Sequence, residues 1–219
     1  MTKRDTKAEL ISAGMELIGT HGYNATGIEA VLKQVGVPKG SFYHYFGSKE
    51  EFGLAVIEEF STRFLARLDV FLSDVTVPPL DRLRIFLERG LERLSAHECT
   101  VGCLIGDLGQ ELAAQNERLR ERLDRIMLSW SDRFATCIRE AQDEGTIRAS
   151  LDPQVTAGFI LSGWEGSVLR AKVMKSTKPV REFIDTLFAT ILTKPELSAA
   201  VARQQRFISG ANSHVQGAT

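Results

Sequence analysis

The 219-residue sequence predicts an all-α protein of about nine helices, a three-helix head followed by a larger helical body. Three observations lead there. Polar capping residues open one segment after another. Apolar residues behind each cap recur with the 3.6-residue period of a helix. Nowhere does apolar–polar alternation run between two hairpin turns, as strands require.

The head is read in order. Thr6-Lys-Ala-Glu9 has the form of a capping box, a hydroxyl for the first turn and a carboxylate three residues on. Leu10, Gly14, Leu17 and Ile18 then share a face, and Gly22 stands where a helix C-terminus favours positive φ. Thr26-Gly-Ile-Glu29 repeats the box, followed by Ile28, Val31, Leu32 and Val35 and closed by Gly36. Pro38 suits the first turn of a short helix, because its missing N–H costs little there. Phe42 and Phe46, one turn apart, anchor that helix inward and leave Lys39, Ser41, Tyr43 and His44 outside. Ser48-Lys-Glu-Glu51 opens a longer helix carrying Val56, Phe60, Phe64, Leu68 and Phe71. Helix, tight turn and short helix make a helix-turn-helix, whose second helix enters the major groove of DNA.

The body is helical throughout. Leu80, Leu83, Leu87, Leu91 and Leu94 form one stripe after Pro78-Pro79. Asn116 caps a long helix with Leu119, Leu123, Met127, Trp130, Phe134 and Ile138, ending near Gly145. Asp152-Pro153 starts the next, a cap with proline at the first helical position. Lys178-Pro179 starts the last. The expected division is 1–47 for the head, 48–195 for the body, and 196–219 as a polar, flexible tail.

Composition narrows the function. A net charge of −1 gives no general attraction to nucleic acid, so any DNA surface must be local. Between Ala30 and Lys49 there are three lysines, Lys33, Lys39 and Lys49, and no acidic residue. Lysines supply phosphate affinity, and side chains at base edges supply sequence preference. The first turn after Thr26 also offers N–H groups to a phosphate. The start, Met1-Thr-Lys-Arg-Asp5, lacks the apolar run of a secretion signal, and no apolar stretch approaches the roughly 18 residues of a membrane span. Cys99, Cys103 and Cys137 form no disulfide framework, so a cytoplasmic protein is expected, with neither metal nor cofactor.

Two runs carry a family resemblance. Thr6-Lys-Ala-Glu-Leu-Ile-Ser-Ala-Gly-Met-Glu-Leu-Ile-Gly-Thr-His-Gly-Tyr23 resembles the first helix of TetR-family regulators. Gly36-Val-Pro-Lys-Gly-Ser-Phe-Tyr-His-Tyr-Phe-Gly-Ser-Lys-Glu-Glu-Phe52 resembles that family's recognition helix and the start of its fourth. The resemblance spans about residues 6 to 60. It implies a homodimer, most often a repressor released from an inverted-repeat operator by a small molecule. It implies operator contacts for Thr26, Lys39, Gly40, Ser41, Tyr43, His44 and Lys49, with Tyr43 and Lys49 mainly on phosphates.

The body suggests two sensing sites. Phe60, Phe64, Phe86, Trp130, Phe134 and Trp164 lie on four predicted helices and either line a ligand pocket or fill a plain core. Gly102-Cys103-Leu-Ile-Gly-Asp-Leu108 puts a cysteine at a helix start, where the helix dipole favours a thiolate; a buried, inert cysteine is the other reading. This segment resembles the NemR-type group of TetR regulators, which answer reactive electrophiles and oxidants. That resemblance extends to Lys172 as a partner for Cys103. Phe159 and Ile160 with Phe183, Leu187, Phe188 and Ile191 are the expected dimer interface, paired as a four-helix bundle. A helical carrier protein without DNA binding is the competing reading. An enzyme built on Cys103 lacks a histidine at any spacing that promises a base, and no phosphate-cradling loop appears.

Overall fold

A computed structural model describes residues 5–193. Among these, nine α-helices and no strand occur: α1 (Thr6–His21), α2 (Ile28–Val35), α3 (Lys39–Tyr45), α4 (Lys49–Leu72), α5 (Pro79–Ala96), α6 (Leu104–Leu112), α7 (Glu117–Asp143), α8 (Pro153–Met174) and α9 (Lys178–Thr186). A π-helical turn, Leu187–Ile191, prolongs α9. No helix of the described residues is long and apolar enough to cross a membrane. The expected tail, 196–219, lies outside the described residues, as do residues 1–4 and His214.

The caps mostly fall where expected. Ser48 accepts from the Glu51 N–H, Asn116 from Leu119, and Asp152 from Gln154 and Val155. Two expectations are corrected. Asp5, not Thr6, caps α1, its carboxylate accepting from Ala8 N–H at 3.1 Å; aspartate is the better cap, and it stands one residue earlier. Thr26 does not cap α2. Its hydroxyl turns back to the Gly22 carbonyl at 2.7 Å, and Gly27 takes the N-cap position without a side-chain bond. Gly36 ends α2 at φ 71°, in the left-handed region where a side chain would be strained.

The head is held by aromatic packing. A seven-residue helix such as α3 has little stability of its own. Phe42 and Phe46 plant it in the core, their ring centroids 5.3 Å and 5.1 Å from that of Phe52 on α4. Full burial of each ring contributes about 1.5–3 kcal/mol. Gly14 on α1 lets Phe52 and Val56 approach so closely that a methyl group at residue 14 would overlap them. The head's core therefore includes the first two turns of α4.

The body packs α4, α5, α6 and α8 around α7, with α9 against α8 and α5. Trp130 and Phe134 are among its most buried side chains. Arg82, 5% exposed, sits at the bend between α4 and α5. Its guanidinium donates to the carbonyls of Leu72 at 2.7 Å and Val77 at 2.9 Å and pairs with Glu140 of α7 at 2.7 Å. It thus satisfies the open carbonyl end of α4 and ties three helices. Replacing Arg82 by Ala should cost roughly 2 kcal/mol, because the carbonyls of Leu72 and Val77 lose a charged donor. Urea unfolding at fixed protein concentration measures this, and an unshifted midpoint would show the contacts to be ornamental.

Candidate nucleic-acid interface and ligand cavity

On the head, α3 stands outward from its phenylalanine anchors. Lys39, Gly40, Tyr43 and His44 are exposed and Ser41 is half-buried. Tyr43 keeps half its surface and leans edge-on against Phe42. A Cβ at Gly40 would meet nothing within 4 Å, so the surface there is low and open to close approach by another molecule. Thr26 does not share this exposure: it is 4% exposed and its hydroxyl is used internally. It holds the turn before α2, whose first N–H groups are left without a side-chain cap. Lys49 is also engaged. It donates to the Asn24 carbonyl at 3.2 Å and lies 4.7 Å over the Tyr23 ring, and partial burial lowers its pKa. It braces the head as well as charging it.

In the body, a cavity of about 160 Å3 opens between α4, α5, α8 and the segment before α6. Phe60, Phe64, Phe86 and Trp164 line it, as expected from the sequence. Trp130 and Phe134 do not. They are core side chains, 1% and 3% exposed, packed behind Phe64 and Phe86 at ring distances of 4.0 Å and 5.8 Å. The sequence pattern did not single out Arg67, Arg89 and Arg93, which share the wall. Arginines on amphipathic helices look like solvated charges until two helices bring them together.

Cys103 also lines this cavity. It is the N-cap of α6, and the N–H groups of Gly106 and Ile105 favour its thiolate. Burial of the sulfur outweighs them, and the Glu165 charge adds to the same effect, so the thiol is pushed well above its ordinary range. The residue keeps some surface because it edges the cavity, but protein packed around the sulfur governs its titration. Lys172 does not partner the thiol. It pairs with Asp107 at 2.7 Å. Glu165, held up to about 7 chiefly by burial, is the group beside Cys103. Of the two readings of Cys103, its burial and its Glu165 neighbour favour the inert, protonated thiol over the poised thiolate. Glu165 had a signal in the sequence, as the lone carboxylate in the apolar run from Ala157 to Val168. Cys137 is buried, held to about 11, with its sulfur directed at the Leu72 carbonyl.

Two residues of the expected dimer face drop out of it. Ile160 and Leu187 are 0% and 1% exposed and belong to the protomer's own core. Phe183 covers Gly163, and Phe188 lies 4.1 Å under the Arg84 guanidinium. Ile191 is half-buried against the core. Of the expected set only Phe159 stands free, at 50% exposure. It belongs to a different stripe of α8, with Val155, Leu169 and Val173 exposed and the small Ser162 and Gly166 between them. These positions recur every three or four residues, one face of a helix.

Head and body meet through polar clasps. Glu111, near the end of α6, accepts from the backbone N–H groups of Tyr23 at 2.8 Å and Asn24 at 2.7 Å. Glu50 on α4 accepts from Asn116 at 2.7 Å and Arg118 at 3.0 Å. Glu58 pairs with Arg122. The segment leading into α6 borders the cavity, while the C-terminal part of the helix grips the turn before α2. A change in the cavity thus has a short route to the head. Replacing Glu111 by Ala should speed amide exchange at Tyr23 and Asn24 by roughly tenfold, the worth of a hydrogen bond to a charge. Exchange at both amides unchanged, measured by NMR, would remove the clasp.

Known proteins resemble this arrangement. Residues 10–56 match the family model described as bacterial regulatory proteins, tetR family, and residues 79–187 match that of the tetracyclin repressor-like C-terminal domain. The transcriptional regulator AcuR of Cereibacter sphaeroides is 40% identical over 187 residues, 85% of this chain and 85% of that protein. The HTH-type transcriptional repressor DhaR of Mycobacterium sp. is 33% identical over 196 residues, 90% of this chain and 97% of that protein. The crystal structure of Escherichia coli NemR in its reduced form superposes with a TM-score of 0.81 at 28% identity, covering 88% of this chain and 99% of that one. The chain belongs to the TetR family, a family of bacterial regulatory proteins and not of enzymes.

Proposed function

We propose that this chain is a homodimeric transcriptional repressor that binds an inverted-repeat operator through α3 and leaves it when a small molecule occupies the body cavity. One observation carries the reading: α3 turns its phenylalanines into the core and presents Lys39, Ser41, Tyr43 and His44 outward, from a stretch without acidic residues. Lys39 and Tyr43 take phosphates, Ser41 and His44 reach base edges, and Gly40 admits the DNA backbone. Thr26 and Lys49 act by holding the turns that flank α2 and α4, with Lys49 adding charge. The head of 1–47 reads, the body of 48–195 senses, and the Glu111 clasp transmits. The name repressor, carried by both DhaR and NemR, supports repression.

The dimer forms through the exposed stripe of α8, centred on Phe159 and Leu169, with Ser162 and Gly166 admitting a second copy of the helix. Two-fold symmetry then sets two copies of α3 on one side of the duplex, which calls for a palindromic site. Release by a ligand is favoured over modification of Cys103, because the protonated thiol is a poor nucleophile.

Gel shifts with DNA from upstream of the gene test the reading surface. Lys39→Ala and Tyr43→Ala should each weaken binding; the salt slope should fall by about one for Lys39→Ala, which removes a charge, and stay unchanged for Tyr43→Ala, which removes a neutral hydrogen bond. Unchanged affinity in both variants would mean that another surface reads DNA. Phe159→Glu should convert the dimer to a monomer in sedimentation at micromolar concentration, because a charge would be desolvated at the centre of the face. A persistent dimer would move the interface elsewhere.

A further inference from the structure

The cavity has an electrostatic peculiarity. Two arginines that line the cavity and the cleft beside it are neutralised by carboxylates, Arg89 by Glu92 and Arg63 by Glu59, both at 2.7 Å. Arg67 on α4 and Arg93 on α5 have no carboxylate partner among the described residues. Both line the apolar cavity, and both also line a second, more polar cleft of about 360 Å3 on its far side. They belong to the wall that the two share. The cleft's carboxylates are already engaged, Glu16 with Gln34 at 2.7 Å and Asp107 with Lys172 at 2.7 Å. Arg67 rests 5.8 Å from the Phe64 ring centre. Burial, with the like charges of Arg93 and Arg63, lowers its pKa, a strain that an anion would relieve.

We infer that the cavity takes a small organic carboxylate, its apolar body against Phe64, Phe86 and Trp164 and its carboxylate on Arg67 and Arg93. The inference rests on the ligand-released reading above and names the ligand's chemistry. Size limits the body to roughly a six-membered ring or a short chain, since ~150 Å3 of enclosed apolar space accepts benzene. Paired guanidiniums suit a carboxylate, which accepts planar, two-pronged hydrogen bonds. A dianion such as phosphate fits poorly, because it has no apolar part to fill the cavity and costs more to desolvate. The position also suits a signal: the cleft on the far side of the two arginines is walled by Ser12, Met15 and Glu16 of α1. A charge neutralised there acts on the seam between head and body.

Calorimetry on the full-length dimer tests this with benzoate, hexanoate, neutral benzamide and inorganic phosphate. Benzoate should bind at least ~10-fold more tightly than benzamide, the worth of a charge-assisted hydrogen bond. Arg67→Gln with Arg93→Gln should bring benzoate down to the benzamide level, and Arg93→Lys should retain part of the difference. Should the double variant fail to fold, the benzoate-to-benzamide ratio in the unaltered protein and in Arg93→Lys decides. Equal binding of benzoate and benzamide overturns the inference. So does phosphate binding as tightly as benzoate, or neither carboxylate binding at millimolar concentration. A gel shift on the same preparation keeps the two readings apart. Operator binding without carboxylate binding sinks only the ligand class, and failure to bind any DNA sinks the repressor reading.

Discussion

Phe52 lies against Phe42 and Phe46, with Gly14 leaving room for it, and through this contact α4 becomes part of the head. The same helix continues into the body, where Phe60, Phe64, Arg67 and Phe71 form one wall of the cavity. It ends on Arg82, which donates to its last carbonyl, that of Leu72, and pairs across to α7. A rigid helix with one end in each core leaves few ways for either to move alone. The seven residues of α3 depend on this arrangement, since their hydrogen bonds could not hold them folded in water.

The clasps around α6 give that constraint a direction. Glu111 replaces water at two backbone N–H groups of the head, and Glu50 takes side-chain donors from the start of α7. Hydrogen bonds to a charged group contribute about 1.5–3 kcal/mol each, enough to favour one seating of the head and little enough to be exchanged for others. Tight packing favours switching between discrete arrangements over continuous bending. In the proposed two-fold assembly a small shift in the separation of the two heads would suffice, because DNA half-sites are fixed in spacing.

The cavity's chemistry divides along its wall. Aromatic rings supply the apolar part, arginines the cationic mouth, and Cys103, at the start of α6, a thiol whose pKa is raised by burial and by the neighbouring Glu165. That thiol shows how a position favourable to a thiolate, at a helix N-terminus, is overruled by burial and a neighbouring acid. Lys172 would have tipped the balance the other way, but Asp107 holds it.

The order of residues along the chain settles what is local. Capping residues and 3.6-residue stripes specify nearly every helix, because both act within a turn or two of chain. They also assign Phe42 and Phe46 to the inside of α3 and Lys39, Tyr43 and His44 to the outside. Competition between distant groups was resolved only by folding. Packing withdrew the Thr26 hydroxyl to Gly22, and put Trp130 and Phe134 behind the cavity wall. It turned Ile160 and Leu187 inward while leaving Phe159 free, because α8 has apolar residues on more than one side and periodicity cannot say which side meets its own core. And it brought Arg67 and Arg93 together from two helices, a meeting of like charges that no spacing along the chain foretells.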